Sequence, residues 1–262
     1  MNPFVFLRRL IFVPRCVICN ERLSPFPDSQ VATHGKICLC NDCYKKWREA
    51  TGELCAHCYM PAYKCTCVPK ALKDQYASIP SLFFYDASEE NAQNKVIYSL
   101  KRIRNKELTE FLAFELYPHL VDDIEARGIS RDSLVFTWIP RRRSSISKYG
   151  FDQGRELALA LSRLFGKTPV PLFLRLGGKE QKKLDAEQRK DNLENSVVLN
   201  LNMLGFPLSE SKNELKSILQ AKNVIIIDDV ITTGASMKRA IDLLKSVCNG
   251  QVIILSVAKT II

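Results

Sequence analysis

The sequence contains little that suits a membrane-embedded or secreted protein. No apolar run approaches the roughly 20 residues that a membrane-spanning helix requires. The apolar segment 4–13 is interrupted by Arg8 and Arg9, and no small-residue cleavage site of a signal peptide follows it. We therefore expect a cytoplasmic protein without a transmembrane segment, in a compartment where thiols and thiolate–metal sites persist and disulfides are rare.

Acidic residues and histidines are also few. The 262 residues include 38 Lys and Arg against 28 Asp and Glu, which gives a formal net charge of +10. This excess indicates contact with nucleic acid or an acidic partner. Basic residues cluster in segments 101–106, 141–143 and 179–190, although each cluster alone also fits a solvated surface. None of the 3 histidines stands out as a general base, so the sequence leaves enzymatic activity open.

Nine of the 10 cysteines fall before residue 68, and most are paired. Two thiolates on one tight turn occupy two corners of a tetrahedral zinc site, so two such pairs close a site. The pairs predict one or two structural Zn²⁺ ions, with Cys38 as an alternative to Cys40, and with the second site less certain because its last pair has one intervening residue. The predicted ligands are Cys16, Cys19, Cys40 and Cys43, then Cys55, Cys58, Cys65 and Cys67. The alternatives are a disulfide framework, which needs an oxidising compartment, or substitution of one cysteine by His34 or His57.

The same cysteines predict how the chain is divided. The first ~68 residues are too rich in cysteine and too poor in apolar periodicity to fold alone, so bound metal must supply the folding free energy. The remainder has about the size of one α/β domain. We therefore expect a zinc-ribbon module over residues 1–70 and an α/β domain over residues 71–262.

The most informative segment is 224–236, where an apolar run leads into two acids and a loop of small residues. Residues 224–227 are apolar without alternation, as expected of a strand buried on both faces. A helical pattern and a second apolar run at 252–257 complete a βαβ unit, so the sheet is parallel. Ligands of such sheets lie beyond the carboxyl ends of the strands. The predicted residues at that strand tip are Asp228, Asp229, Thr232, Thr233, Gly234 and Ser236.

These residue types suit a phosphorylated sugar. Carboxylates accept hydrogen bonds from sugar hydroxyls, while the loop N–H groups and a helix N-terminus beginning near Ala235 attract a phosphate. Gly234 lets the backbone approach a ligand closely. The alternative is that the acids cap the strand and the threonines begin a helix.

The segment resembles the phosphoribosyl-pyrophosphate signature of type I phosphoribosyltransferases. The resemblance implies an α/β fold of that type, with a parallel sheet flanked by helices. It assigns the ribose hydroxyls to Asp228 and Asp229, which become the candidate catalytic residues, and the 5-phosphate to the loop. The loop residues are Thr232, Thr233, Gly234, Ala235 and Ser236. It further implies that Mg²⁺ arrives with the pyrophosphate and is not held in an all-protein cage.

Three further segments extend the resemblance over most of the chain. A predicted strand at 134–139 leads into a proline and a basic run, residues 149–153 precede a helix, and residues 179–192 carry spaced Lys, Gln, Arg and Asn. With the cysteine pairs before them and the phosphate loop after them, this order is similar to that of the ComF family. Its members are competence proteins with an N-terminal double zinc ribbon, and their relatives are described as amidophosphoribosyltransferase-like.

The resemblance to the ComF family assigns further site residues. Pro140 and Arg141 would face the pyrophosphate, and Lys179 would belong to a segment that covers the site in catalytic relatives. The same segment holds Gln181, Arg189 and Asn192. An exposed, charged connection is the alternative for this segment. Tyr149 and Asp152 stand where the family has Arg and Asn, which removes one positive charge and adds one negative charge beside the expected anion.

The family resemblance implies a DNA-uptake factor on the cytoplasmic side, at the inner face of the membrane. It would bind single-stranded DNA arriving through the membrane channel, alongside a competence helicase, and keep a phosphoribosyl-pyrophosphate pocket. Basic ribbon residues could grip the DNA, namely Arg15, Arg22, Lys36, Lys45, Lys46 and Arg48. Tyr44 and Trp47 would either stack on bases or pack against the ribbon. The alternatives are an active phosphoribosyltransferase acting on a base or nucleotide precursor, and a sensor whose ribbons bind a protein.

Overall fold

A parallel sheet forms the centre of the molecule. The computed structural model describes residues 13–24, 38–88, 91–176, 197–201 and 208–260, with the backbone alone for 208–212. The strands are β1 (Ser81–Phe84), β2 (Leu134–Trp138), β3 (Phe173–Arg175), β4 (Val197–Leu199), β5 (Asn223–Ile231) and β6 (Val252–Lys259). Four of them pair in parallel in the order β1-β6-β5-β2, while β3 and β4 form a separate antiparallel pair.

Helices surround this sheet. They are α1 (Asn41–Gly52), α2 (Ala92–Arg102), α3 (Lys106–Ala126), α4 (Arg143–Tyr149), α5 (Gln153–Leu164), α6 (Leu208–Leu219) and α7 (Ala235–Lys245). Short 3₁₀ turns lie at Lys70–Leu72 and Arg131–Ser133. The predicted α/β fold with a parallel sheet flanked by helices is confirmed. None of the described helices is long and apolar enough to span a bilayer.

The predicted βαβ unit is formed by β5, α7 and β6, with strands longer than the apolar runs suggested. Asp228 lies opposite Ser256 and Ile231 lies opposite Lys259, so the parallel ladder continues past both acids. The prediction that the acids stand at the strand tip was therefore wrong, because the strand continues to Ile231. Both lie within β5, and the loop begins at Thr232.

Alternate residues of β5 face two separate layers. Ile225 and Ile227 pack in the core formed with α2, α3 and α5, while Val224 and Ile226 pack in the core formed with α6, α7 and the β3–β4 pair. Burial from both sides is the physical reason for the unbroken apolar run in this strand.

Two asparagines begin the helices α2 and α3. The side chain of Asn91 accepts from the Asn94 N–H at 2.9 Å and caps α2, while Asn105 accepts from the Leu108 N–H at 3.0 Å and caps α3. Asparagine is a strong N-cap, so each one begins a new helix. The helix α6 occupies a segment for which the sequence predicted no element.

The cysteine-rich region shares the core of the sheet through Trp47. This side chain is fully buried, with its ring 5.4 Å from that of Phe83 and 5.5 Å from that of Phe111, both edge-on. Its Nε1 donates to Oε2 of Glu115 at 3.2 Å. The first cysteines thus pack directly on β1 and α3, and the division of the chain at residue 70 stays a prediction.

Candidate functional site

The loop between β5 and α7 forms a small open cradle. It encloses a cavity of about 70 Å³ lined by Asp228 and residues 230–237. Thr232 and Thr233 are exposed, and α7 begins directly at Ala235. Gly234 has φ 79°, in the left-handed region that glycine favours. The N-terminal N–H groups of an 11-residue helix therefore lie beside exposed hydroxyls, which suits an anion.

Gly234 also has a role that the sequence did not reveal. A Cβ at this position would lie 2.9 Å from Cδ1 of Leu72 and 3.3 Å from Cβ of Pro69. The close approach here is therefore to the 3₁₀ turn after the second cysteine set, and not only to a ligand above the loop. Side-chain packing on the inner side of the loop fixes its position.

The two acids of β5 have different surroundings, because successive strand residues point to opposite faces. Asp228 is half-buried and lines the cradle. Asp229 is only 6% exposed and points toward the helix layer. Its Oδ2 accepts from Nε2 of Gln153 at 3.2 Å and lies 3.5 Å from Nζ of Lys101. Asp228 is therefore the acid that is open to a ligand, while Asp229 is held by two partners.

Burial and the neighbouring negative charge of Asp229 raise the pKa of Asp228 well above its usual value. The Asp229 N–H, which donates to Oδ1 of Asp228 at 2.9 Å, and the nearby Arg175 act in the opposite direction. A carboxyl in this state gains from any ligand that brings hydroxyl donors or a cation, because such a partner stabilises the ionised form.

Arg175, at the end of β3, is a cation that contacts the cradle. Its Nη2 donates to Oγ of Ser236 at 2.7 Å, and its charge acts on Asp228. Its Nε is buried without a hydrogen-bond partner among the described residues. No sequence pattern singles out Arg175 among the 38 Lys and Arg residues.

The loop after β2 approaches the acids from the other side. The Ile139 N–H donates to the carbonyl of Ile227 at 3.0 Å, which places Pro140 and Arg141 beside the end of β5. The guanidinium of Arg141 lies 4.5 Å from the ring centroid of Tyr149, and its buried Nη1 has no partner in the described part of the chain. Oε1 of Gln153 is in the same state.

Three of the six buried side-chain atoms without a hydrogen-bond partner in the described part of the chain lie at this edge of the sheet. Buried polar atoms of folded proteins are nearly always paired, so a group of unpaired ones at one edge of a sheet indicates that a ligand or water completes them. Nη1 of Arg141 and Nε of Arg175 are donors, which suits an anion, and Oε1 of Gln153 is an acceptor.

The unexpected carboxylate of Asp152 is used within the protein. Its Oδ1 caps α5 by accepting from the N–H of Gly154 at 3.0 Å and of Arg155 at 3.3 Å. Its Oδ2 accepts from Nε1 of Trp138 at 3.2 Å and from the Arg141 N–H at 3.1 Å. These donors offset the negative charge, so the loop keeps its position without the amide that the family resemblance led us to expect.

Residues 152–259 match the family model of the phosphoribosyl transferase domain. The matched range begins at the cap of α5 and contains Gln153, Arg175, both acids and the loop. Together with the parallel sheet, it identifies a type I phosphoribosyltransferase fold in this part of the chain. No curated protein matches the chain. Lys179, Gln181, Arg189 and Asn192 lie within the matched range but outside the described residues.

The two cysteine sets precede the phosphoribosyl transferase domain, and each brings four sulfurs within 4.8 Å of one another. The sets are Cys16, Cys19, Cys40 and Cys43, and Cys55, Cys58, Cys65 and Cys67. The Sγ atoms of Cys19 and Cys40 are 3.7 Å apart, as are those of Cys55 and Cys67. Zn–S bonds of about 2.3 Å in a tetrahedron put sulfurs about 3.8 Å apart, so both sets fit zinc.

The remaining candidates for metal ligands lie outside these sets. Cys38 is buried in the core, and burial raises the pKa of its thiol, which makes it a packed neutral side chain. Cys40 therefore takes the place that the sequence had left open between the two. His57 is exposed and belongs to neither set, and the ring of His119 stacks on Tyr63 at 4.1 Å. His34 lies outside the described residues.

The ring of Trp47 is not accessible for stacking, and that of Tyr44 is accessible only in part. Trp47 is 0% exposed, and Tyr44 is partly buried against the same core. Of the two alternatives for Trp47, packing against the ribbon is the one that the structure shows, because its ring fills the space between the ribbon, β1 and α3. Arg48, one of the predicted DNA contacts, lies 3.2 Å from Oε2 of Glu115, and Lys36 lies outside the described residues.

Proposed function

We propose that the carboxyl edge of the sheet binds phosphoribosyl pyrophosphate or a similar sugar phosphate. The 5-phosphate lies on the loop 232–236, and a ribose hydroxyl donates to Asp228. Arg141 and Arg175 take oxygens of the pyrophosphate through their unpaired N–H groups. The observation that carries the proposal is the convergence of these buried unpaired donors, an open acid and a helix N-terminus at one edge of the phosphoribosyl transferase domain.

Magnesium belongs to the ligand in this proposal. Among the described residues, the groups of three or more potential metal ligands are the two cysteine sets, so no carboxylate cage lies at the cradle. Mg²⁺ holds its water tightly and is commonly bound through phosphates and one or two carboxylates. Asp228 is the carboxylate in position to contact an ion that arrives on the pyrophosphate.

Binding and transfer are separate steps. In a transfer, the bond between the anomeric carbon and the pyrophosphate oxygen breaks, pyrophosphate leaves with the electron pair, and an acceptor nitrogen forms the new bond. The acceptor proton then passes to a base. No residue of the described site stands out as that base, so we propose binding as the primary property and transfer to a nucleobase or nucleotide precursor as the alternative.

Calorimetric titration with phosphoribosyl pyrophosphate and Mg²⁺ tests the pocket. We expect saturable binding that Asp228→Ala abolishes and that ribose 5-phosphate reproduces more weakly, because it lacks the pyrophosphate. A pyrophosphate-release assay over a panel of bases then separates the two readings. Turnover with one base assigns a transferase, whereas no heat of binding at any concentration removes the proposal.

We propose, second, that the chain binds single-stranded DNA as a cytoplasmic uptake factor of the ComF kind. The supporting observation is a groove of about 480 Å³ between the first cysteine set and α2. Arg15, Lys95 and Arg102 line it, and no acidic side chain of the described residues does. Tyr98 is 40% exposed beside them, with the guanidinium of Arg102 5.7 Å from its ring centroid. A site that binds single-stranded DNA of any sequence requires cations along the sugar-phosphate backbone of the DNA and an exposed aromatic ring on which a base can stack.

Fluorescence anisotropy with a labelled oligonucleotide tests this groove. We expect binding at low salt that weakens steeply as salt rises, because bound phosphates release counterions. The double variant Lys95→Ala with Arg102→Ala should weaken binding and flatten the salt dependence. Lys238→Ala, an exposed cation on α7, is the matched control. Retention of a helicase in a pull-down, with no DNA binding by the purified chain, supports the protein-binding alternative instead.

A further inference from the structure

Lys259, the last residue of β6, is fully buried, and within the described part of the chain it is the one buried cationic side chain. Its Nζ donates to the carbonyl of Cys65 at 3.1 Å and of Ile79 at 3.2 Å, and lies 6.0 Å from the ring centroid of Phe84. Carbonyls and a ring do not neutralise an ammonium, and an unpaired buried charge is costly. Among the ion pairs of the described residues, none joins Lys259 to a carboxylate.

The charge that faces Lys259 comes from the second cysteine set. Nζ of Lys259 donates to the backbone carbonyl of Cys65, so the ammonium lies directly beside this set. Cys55 and Cys65 are fully buried, and they pack with Phe84. Four thiolates around one Zn²⁺ carry a formal charge of about −2, which a buried site must balance.

The first cysteine set provides a comparison within the same chain. Its sulfurs have the same arrangement, but Cys19 is exposed to solvent, and no buried cation among the described residues lies against it. Water can reach the outer members of both sets, since Cys58 and Cys67 are also partly exposed, but among the described residues a buried cation lies only on the inner side of the second set.

The second cysteine set is also tied to the phosphate loop. Lys259 lies opposite Ile231 in the sheet, and the next residue, Thr260, donates from Oγ1 to the carbonyl of Thr232 at 3.3 Å. On the other side, the chain that leaves Cys67 places Leu72 against Gly234. Two routes thus connect this set to the loop, one through β6 and one through the 3₁₀ turn.

We propose that Lys259 is the internal counter-cation of a metal ion held by the second cysteine set, and that this metal site fixes the phosphate loop. The part of this proposal that concerns Lys259 and the metal ion is independent of the proposed function. The part that concerns ligand binding by the loop rests on the proposed function. The expected consequence is a second zinc that is retained more tightly when position 259 is cationic, and a loop that opens when that zinc leaves.

Zinc release from the intact, zinc-loaded chain to a chromophoric chelator tests the first half. Lys259→Met removes the charge at nearly constant length, and Lys259→Arg keeps it. We expect Lys259→Met to accelerate one of two release phases by about 10- to 100-fold, as for other groups that support metal ligands, and Lys259→Arg to accelerate it less. Cys58→Ser and Cys19→Ser assign the phases, since each removes the outer ligand of one set. Release of both ions at the original rates from Lys259→Met overturns the proposal.

Hydrogen–deuterium exchange on the unaltered chain tests the second half, and it decides the matter even if Lys259→Met does not fold. We expect the amides of residues 232–236 to exchange faster as the second zinc is removed and not as the first is removed. Cys58→Ser should show the same fast exchange and should bind phosphoribosyl pyrophosphate with Mg²⁺ more weakly. Cys19→Ser should leave the exchange of the loop amides unchanged. Loop exchange that is indifferent to the second zinc contradicts the coupling. A chain that shows the coupling but binds no phosphoribosyl pyrophosphate contradicts the proposed function alone.

Discussion

Nη2 of Arg175 donates a hydrogen bond of 2.7 Å to Oγ of Ser236, which ties the end of β3 to the first turn of α7. The charge of the same guanidinium opposes the rise in the pKa of Asp228, and its Nε has no hydrogen-bond partner among the described residues. One cation therefore serves both the phosphate loop and the open acid of the sheet. The site has its own positive charge in the described residues, independent of Lys179.

Arg175→Lys should weaken binding of phosphoribosyl pyrophosphate by about 10- to 100-fold. The substitution keeps the charge but loses the planar fork, and a hydrogen bond to a charged group contributes about 1.5–3 kcal/mol. Calorimetric titration measures the change. Arg163→Lys, at an exposed position near the end of α5, is the control and should bind as the unaltered chain does. Equal affinities for all three proteins would show that Arg175 does not contact the ligand.

Asp228→Asn should abolish ligand binding and yet stabilise the fold at neutral pH. The pKa of Asp228 is raised in the folded state, so the folded protein holds this proton more strongly than the unfolded chain does. The ionised carboxyl therefore costs stability, and this cost grows as pH rises above the unfolded value of about 3.9. We expect the Tm gain of the variant to be small near pH 4 and larger at pH 7 to 8.

Differential scanning fluorimetry across that pH range measures the gain. Asp229→Asn is the comparison, because Asp229 has partners in Gln153 and Lys101. We expect it to lower Tm, since it weakens the contact with Lys101. A Tm change for Asp228→Asn that is the same at every pH contradicts the assignment of the raised pKa.

Trp47 and Tyr98 should separate stability from DNA binding. Trp47→Ala removes a fully buried ring between Phe83 and Phe111 and should cost about 3–5 kcal/mol of folding free energy. Trp47→Phe should fold and bind DNA with unchanged affinity. Tyr98→Ala should leave Tm nearly unchanged and lose about 1–3 kcal/mol of DNA binding, as for a stacked base. DNA binding lost in Trp47→Phe but kept in Tyr98→Ala reverses this assignment.

Gly234→Ala should destabilise the fold more than Gly128→Ala. Both glycines have positive φ, 79° and 64°, so alanine is strained at each by about 1–2 kcal/mol. Only at Gly234 would the added Cβ also meet Leu72, at 2.9 Å, whereas no atom of the described residues lies within 4 Å of a Cβ at Gly128. Chemical denaturation gives both free energies, and the excess at Gly234 measures the packing of the loop on the 3₁₀ turn. Equal losses mean that Leu72 simply moves aside.

The central sheet could be predicted because its signals are local. The apolar run before Asp228, the helical stripe after Ala235 and the second run at 252–257 each reflect burial of neighbouring residues in one element. The limits of β5 could not be predicted in this way. The ladder to β6 continues through two acids because the partner strand continues, and that partner is not visible in the run itself.

The composition of the phosphate edge was only partly predictable. The loop residues and the acids follow one another in sequence, whereas Arg175, Gln153 and Lys101 come from three other elements. Lys101 stood in a basic cluster that also fitted a solvated surface, and only the packing of α2 on the sheet showed its contact with Asp229.

The sequence by itself determined the features that depend on spacing within a few tens of residues: the cysteine sets, the parallel βαβ unit and the loop of small residues. The tertiary structure decided which charges meet and which rings are buried. Lys259 and Cys65 are 194 positions apart, and Trp47 and Glu115 are 68 apart. Such contacts depend on how separate elements pack, and a buried charge selects its partner only when the surrounding chain has excluded water.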